Sequence, residues 1–394
     1  MSQHALYLLD PDPAPAWAPF AGVRPLSELR AGAHLIRERW ETFVGVEATA
    51  IFALPHLAGF PEAGVPTVEA RRPVVGPAVV GSSTYAPPPR ALLPQLPDAP
   101  ARLTHRGITV GWAVPAGVTW TGPLPQAQAV EVPAGGALLH GVYDLVAAAD
   151  GLLRDDLLAM LGESDPVPRA ATVIGDPSWL VLREAAVEPG VVFDLTQGPV
   201  VLESGVEVRA GTRLEGPLWA GSNARLLGGP IRNSAIGPWS VVRGEMSTTV
   251  ILGYANKSHD GFVGHSVVGR WVNIGAGTIT SNMKNTYGQV RLTVGSAAIE
   301  TGHQFLGTLF GDHAKTAIGT LLPTGTVVGA GASVFDCVRV PKYVPPFAWG
   351  GEGPERMTRE GFLAIVERVL PRRNVAADDA VLASVGRIYD WLTR

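Results

Sequence analysis

Val208, Leu214, Ala220 and Leu226 follow one another at six-residue intervals. That spacing matches neither the alternation of a strand nor the 3.6-residue period of a helix. It fits a coil in which each hexamer supplies one short strand and one turn, with coils stacking as a parallel β-helix. Aliphatic-glycine pairs extend the pattern at Ile236-Gly237, Val268-Gly269, Ile274-Gly275, Ile318-Gly319 and Val328-Gly329. The period slips to five between Ile231 and Ile236, and loops such as Arg243 to Thr249 interrupt it. Several coils with inserted loops is the simplest account. The repeat ends near Val344-Pro345-Pro346.

Composition agrees with a turn-rich β fold. The 394 residues include 47 Gly and 34 Pro, against 31 Lys+Arg and 35 Asp+Glu. A disordered chain would show few apolar residues and many charges. A net charge of -4 and a pI near 6.2 imply no overall basic face for nucleic acid, although a local basic pocket stays open. The single cysteine, Cys337, rules out an intrachain disulfide and any multi-cysteine metal site. The N-terminus lacks a basic n-region, and no stretch reaches the roughly 18 apolar residues of a membrane span. A soluble, cytoplasmic protein is expected.

Three segments are expected: an α/β domain over residues 1–165, a β-helix over 166–350 and a helical segment over 351–394. In the first, Ala5 to Leu9 reads as a strand stopped by Asp10-Pro11-Asp12-Pro13. Leu26 to Val44 reads as a helix with Ser27 as N-cap, and Ile108 to Val114 as a strand. Leu138 to Leu161 reads as a helix interrupted at Gly151, with Asp155-Asp156 on its solvated side. At the other end, Thr358 to Leu370 and Ala376 to Thr393 read as amphipathic helices separated by Pro371, placed to cap an open β-helix end.

Gly253 to Tyr287 concentrates Asn, Lys and His within the apolar repeat. His259 has the chemistry of a general base, since imidazole titrates near neutral pH. Asp260 is placed to orient its ring. The alternative is a polar cluster that caps a β-helix corner. Asp312, His313 and Lys315 form a second cluster, suited to a phosphate, to an acid/base pair, or to a satisfied turn. His265 and His303 read as structural. No histidine pair has a usual ligand spacing, so no metal site is expected.

The stretch Val272 to Asn282, VNIGAGTITSN, resembles the acetyltransferase half of the bifunctional enzyme that makes UDP-N-acetylglucosamine. Arg24 to Glu41, Gly253 to Asn285, Phe310 to Gly331 and Pro341 to Gly351 resemble a bacterial family of proposed sugar nucleotidyltransferases still more closely. The resemblance implies a nucleotidyltransferase-like α/β domain followed by a left-handed β-helix, assembled as homotrimers. It implies acetyl-CoA or another acyl-CoA as donor and a sugar phosphate or nucleotide sugar as acceptor. His259 would be the base and Lys257 the phosphate ligand, with Asn256, Asn273, Asn282 and Lys284 at the acceptor and Ala276 and Ala330 beside the donor. The Lys-to-His spacing is one residue shorter than in the family, and Asn282-Met283-Lys284-Asn285 replaces its Asn-Tyr-Asp-Gly loop.

In the N-terminal domain the family's loop reads roughly Gly-x-Gly-Thr-Arg, because bare backbone amides must approach phosphates. Here Asp10-Pro11-Asp12-Pro13-Ala14-Pro15 stands instead. Arg24 and Arg30 have the chemistry to bind a phosphate and sit where the family places a basic catalytic residue, and Asp10 and Asp12 have the chemistry to hold Mg²⁺. A degenerate domain is the favoured reading. The chain is thus expected to be an acyltransferase acting on its β-helix. Nucleotidyl transfer from NTP to a sugar 1-phosphate, and a catalytically silent assembly or sensing protein, are the alternatives.

Overall fold

The computed structural model of the chain describes residues 4–337, 339–351 and 353–394. Its N-terminal domain holds a seven-stranded mixed sheet. The order across the sheet is Gln128–Glu131, Ala101–His105, Ile108–Val114, Ala78–Ser82, Ala5–Leu9, Ala48–Phe52 and Thr67–Glu69. The strands at Ala5 and Ile108 lie where the apolar runs placed them. The expected helix from Leu26 does not form as one unit. Gly32, at φ +69°, turns the chain into a small hairpin, and the helix runs only from Ile36 to Val44. Ser27 is therefore no cap of that helix. Trp40 of this helix lies directly over Gly81, where a Cβ would approach its ring to 2.6 Å.

The next expected helix begins at Asp144, and a π turn over Ala149–Leu153 absorbs Gly151 without breaking it. Asp156 is buried rather than solvated. It accepts hydrogen bonds from the Ala33 amide and from Arg39.

From Thr172 onward the chain coils into three parallel strand ladders, forming the triangular prism of a left-handed β-helix. The six-residue positions land on successive faces: Val208, Leu214, Ala220 and Leu226 are all fully buried, and Leu226 stacks directly on Val208. One ladder runs through Thr212–Glu215, Glu245–Ser247, Phe262–Gly264 and Ile279–Thr280. A second runs through Leu180–Leu182, Val200–Leu202, Val250–Ile251, Val267–Val268 and Thr308–Phe310. The third contains Glu207–Val208, Arg225–Leu226, Val241–Val242 and Asn256–Lys257.

The second ladder is apolar on both sides because the N-terminal domain covers its outer surface. Val181, Val201, Trp219 and Ala235 pack beneath Leu153 and Leu157 of the long helix. Leu252, Val267, Leu309 and Val327 join the core of the N-terminal sheet. A hairpin, Arg291–Val294 with Ala297–Glu300, leaves the β-helix and adds Val290 and Leu292 to that same core.

The C-terminal helices, Arg359–Val369 and Asp379–Leu392, begin at Thr358 and Asp378, whose side chains accept from backbone amides. They do not close the end of the prism. They lie along one corner, and the second reaches the N-terminal domain. There Arg387 donates to the carbonyls of His56 and Ala58, and Trp391 stacks on His56 at 4.7 Å. The reason lies in that corner. Trp239, Tyr254, Trp271, His313 and Phe347 occupy equivalent turn positions, all at positive φ, and the helices pack on the rings of Trp271, His313 and Phe347.

Candidate functional site

Register decides which polar residues of the third ladder face out. Asn256 pairs with Asn273, Asn273 with Lys315, and Lys315 with Ser333. These residues form one outward column. Lys257 pairs with Val242 and therefore occupies a slot that aliphatic residues fill elsewhere. It is 3% exposed. Its Nζ donates to the carbonyls of His259 and, at 3.1 Å, Asp260. Burial pushes the amine down to about 8. The expectation that Lys257 holds a phosphate is thereby corrected: its ammonium closes its own turn.

Asn256, Asn273 and Lys315 of that column line a cleft with Ser258, His259, Tyr254 and Trp271. Asn256 Nδ2 donates to Asn273 Oδ1 at 2.8 Å. His259 is exposed at the rim. Lys315 Nζ donates to the His313 carbonyl at 3.0 Å, and burial lowers its amine to about 8. The opposite wall comes from the C-terminal segment, through Val369, Arg372 and Arg373. Arg373 is anchored by donating to the Trp239 carbonyl at 3.2 Å. The two arginines lie far from His259 in sequence. Their only sequence signal is a basic pair directly after the helix-ending Pro371.

Asp260 does not orient His259 here; its Oδ1 accepts from Arg243 Nε at 3.1 Å. Asn282 lies elsewhere, with Nδ2 on Nδ1 of His265 at 2.8 Å, and His265 stacks on Phe305. Ala276 sits in a turn whose carbonyl accepts the Gly319 amide. Lys284, Arg339 and Lys342 flank a separate groove floored by Ile279, Leu321 and Pro323. Burial lowers Lys342, and the charges of Lys284 and Arg339 lower it further.

The second polar cluster splits. Lys315 joins the His259 cleft, whereas Asp312 and His313 turn inward. Asp312 accepts from Arg24 Nε at 2.9 Å and from the Arg270 amide at 2.9 Å. Arg24 also grips Glu62, which in turn pairs with Arg270. Arg24, 2% exposed, is thus a strut between domains rather than a phosphate ligand. Arg30, 5% exposed, lies over Trp219 at 4.4 Å and is likewise removed from any open site.

In the N-terminal domain both oxygens of Asp10 are taken. One accepts the Leu26 amide at 2.9 Å and the other the Ser83 hydroxyl at 2.7 Å. Burial raises Asp10 to about 6. Asp10 thus pins the loop in place, and the expected Asp10–Asp12 cation pair does not fit: Asp12 is exposed. Among the described residues, no three His, Cys, Asp or Glu side chains converge on a metal-sized site. No described helix is long and apolar enough to cross a membrane.

Comparison with known proteins places the first domain. A family described as sugar nucleotidyl transferase matches residues 6–160. The N-terminal domain is similar to that family over this range. A bifunctional sugar-1-phosphate nucleotidylyltransferase/acetyltransferase of Sulfurisphaera tokodaii is 30% identical over 147 residues, 35% of this chain and 36% of the relative. The bifunctional protein GlmU of a Jannaschia species is 32% identical over 170 residues, 41% of this chain and 32% of the relative. The GlmU of Methanocaldococcus jannaschii is 30% identical over 86 residues, 22% of this chain and 21% of the relative. The matched segments thus span about a third or less of each relative's length.

Proposed function

We propose that this chain is a sugar-nucleotide transferase whose β-helix transfers an acyl group from acyl-CoA to a sugar phosphate or nucleotide sugar in the His259 cleft. The observation that carries the reading is convergence: coil stacking brings His259, Asn256, Asn273 and Lys315 together opposite Arg372 and Arg373. A phosphorylated acceptor needs cations, and Lys315 with the two arginines supplies them on two walls. Asn256 and Asn273 offer amide groups to sugar hydroxyls. His259, at the rim, takes the proton that an attacking amine or hydroxyl loses as the new acyl bond forms and the CoA thiolate departs. The Sulfurisphaera tokodaii relative, named a sugar-1-phosphate nucleotidylyltransferase/acetyltransferase, supports this reading.

The groove of Lys284, Arg339 and Lys342 over Ile279 and Leu321 suits CoA, whose phosphates need cations and whose pantetheine arm needs an apolar floor. Ile279, Leu321 and Trp349 are exposed apolar residues on the β-helix surfaces that the N-terminal domain leaves open. Packing of three copies along those surfaces would bury them and bring one copy's groove toward its neighbour's cleft.

The second reading, nucleotidyl transfer on the N-terminal domain, is favoured by the family match over residues 6–160 and opposed by the proline-rich loop that Asp10 pins down. One assay separates the two. Purified protein is given acetyl-CoA with a panel of sugar phosphates while free thiol is followed, beside UTP or dTTP, with Mg²⁺, while pyrophosphate is followed. Thiol release that falls at least a hundredfold in His259→Ala is expected, in line with loss of a general base. Pyrophosphate release without thiol release, unchanged in His259→Ala, would transfer the activity to the N-terminal domain.

A further inference from the structure

Behind the Tyr254–Trp271 stack, on the side away from His259, lies a second cavity of about 300 Å³. Three parts of the chain enclose it. Phe60 and Glu62 come from the N-terminal domain, Trp271 and Phe347 from the aromatic corner, and Val366 and Val385 from the C-terminal helices. It exceeds the roughly 150 Å³ of an engineered apolar cavity that stays dry and admits benzene.

Its polar residues are arranged unlike those of a packing defect. Arg24 and Arg270 balance Glu62 and Asp312, and Asp378 adds a further carboxylate to the lining. Three atoms of lining residues are nevertheless buried without any hydrogen-bond partner: Arg270 Nε, His313 Nδ1 and Ser384 Oγ. They come from two turns of the aromatic corner and from the last helix. Buried polar atoms are normally satisfied, and three orphans around one cavity need a common explanation. Arg270 Nε only donates, whereas a neutral imidazole nitrogen and a hydroxyl can accept or donate. Burial, and the Lys315 and Arg24 charges, hold His313 well below its usual range, so its ring is neutral.

We infer that this cavity is a binding site for a neutral, largely apolar small molecule bearing one oxygen head group, separate from the His259 cleft. The apolar body fills the space between Phe347, Val366 and Val385. The head oxygen accepts from Arg270 Nε and exchanges a hydrogen bond with Ser384 Oγ, with His313 Nδ1 in the same lining. A carboxylate is disfavoured, because Glu62 and Asp312 already neutralise the two guanidinium groups.

Titration calorimetry on the full chain tests this with three probes of similar shape: 4-butylphenol, 4-butyltoluene and 4-butylbenzoate. The phenol is expected to bind at one site per chain, about tenfold tighter than the toluene, the factor one well-made hydrogen bond supplies. The benzoate should bind more weakly than the phenol. Ser384→Ala should narrow the phenol-to-toluene ratio without weakening the toluene, and Val381→Trp, filling the cavity, should remove both. Should Val381→Trp fail to fold, the Ser384→Ala ratio alone decides. No phenol binding at millimolar concentration, equal phenol and toluene affinities, a ratio unmoved by Ser384→Ala, or tighter benzoate binding would each overturn the proposal. Because no readout involves thiol or pyrophosphate, this result is independent of the activity proposed for His259.

Discussion

Two lysines, each held at about 8 by burial, have opposite roles because of which way their strand position faces. Lys257 points into the prism and satisfies turn carbonyls. Lys257→Met should therefore cost about 1–3 kcal/mol in denaturant unfolding, since those carbonyls lose their donor, while the KM for a phosphorylated acceptor stays unchanged. A raised KM with unchanged stability would restore it as a phosphate ligand. Lys315 points into the cleft, and its charge is the form that holds an anion. That charge is present below about 8 and lost above it. Acceptor KM should thus climb as pH rises through 8, and Lys315→Arg should remove the step, because a guanidinium stays charged there. A pH profile of KM in the two proteins decides it. The sequence named both lysines but not their directions. A coil that shortens from the 18 residues between Val208 and Leu226 to the 15 between Val242 and Lys257 shifts which residue takes the inward slot.

At the scale of the element, the aromatic corner explains both the cleft and the placement of the C-terminal helices. Each corner residue follows an apolar-glycine or Pro-Pro step and adopts positive φ, a region bulky side chains rarely enter. At four of the five a backbone bond to the preceding coil fixes it there: the Tyr254 amide donates to the Pro238 carbonyl at 2.7 Å, and His313 to Arg270 at 2.8 Å. Trp271, at φ +63°, stacks on Tyr254 at 4.5 Å and forms part of the wall between cleft and cavity. Replacing it separates conformation from packing. Trp271→Ala loses the stack and keeps the strain, whereas Trp271→Gly loses the stack and relieves the strain. The glycine variant should be more stable by about 1 kcal/mol, the reverse of the order expected within a strand. Chemical denaturation of the two variants is sufficient to see it. The six-residue period revealed the coils because inward residues must be aliphatic. Nothing local revealed the corner's covering, since Arg372 and Arg373 reach the cleft only after two further turns of fold.

Across the whole molecule, the N-terminal domain and the β-helix behave as one body because a charged strut crosses a shared apolar core. Arg24 joins Glu62 of its own domain to Asp312 of the β-helix, and Arg270 closes the circuit through Glu62. A basic residue near a first strand reads as a phosphate ligand, and Arg24 is expected to be one on sequence alone. The tertiary contact across 288 positions was not visible locally. Removing the arginine strands a carboxylate: Arg24→Met leaves Asp312 buried with only backbone support, at a cost of about 3–5 kcal/mol. Burial already raises Asp312, and loss of Arg24 raises it further, so the variant's Asp312 binds a proton more readily. Its deficit should accordingly be larger at pH 7.5 than at pH 5, where protonation relieves the unpaired charge. Arg24→Met combined with Asp312→Asn should recover part of the loss at pH 7.5 and show a weaker pH dependence, because no buried charge is left at position 312. Denaturation of both variants at the two pH values, monitored by tryptophan fluorescence, measures it. An Arg24→Met deficit below about 1 kcal/mol and independent of pH would mean that the apolar interface alone holds the domains together.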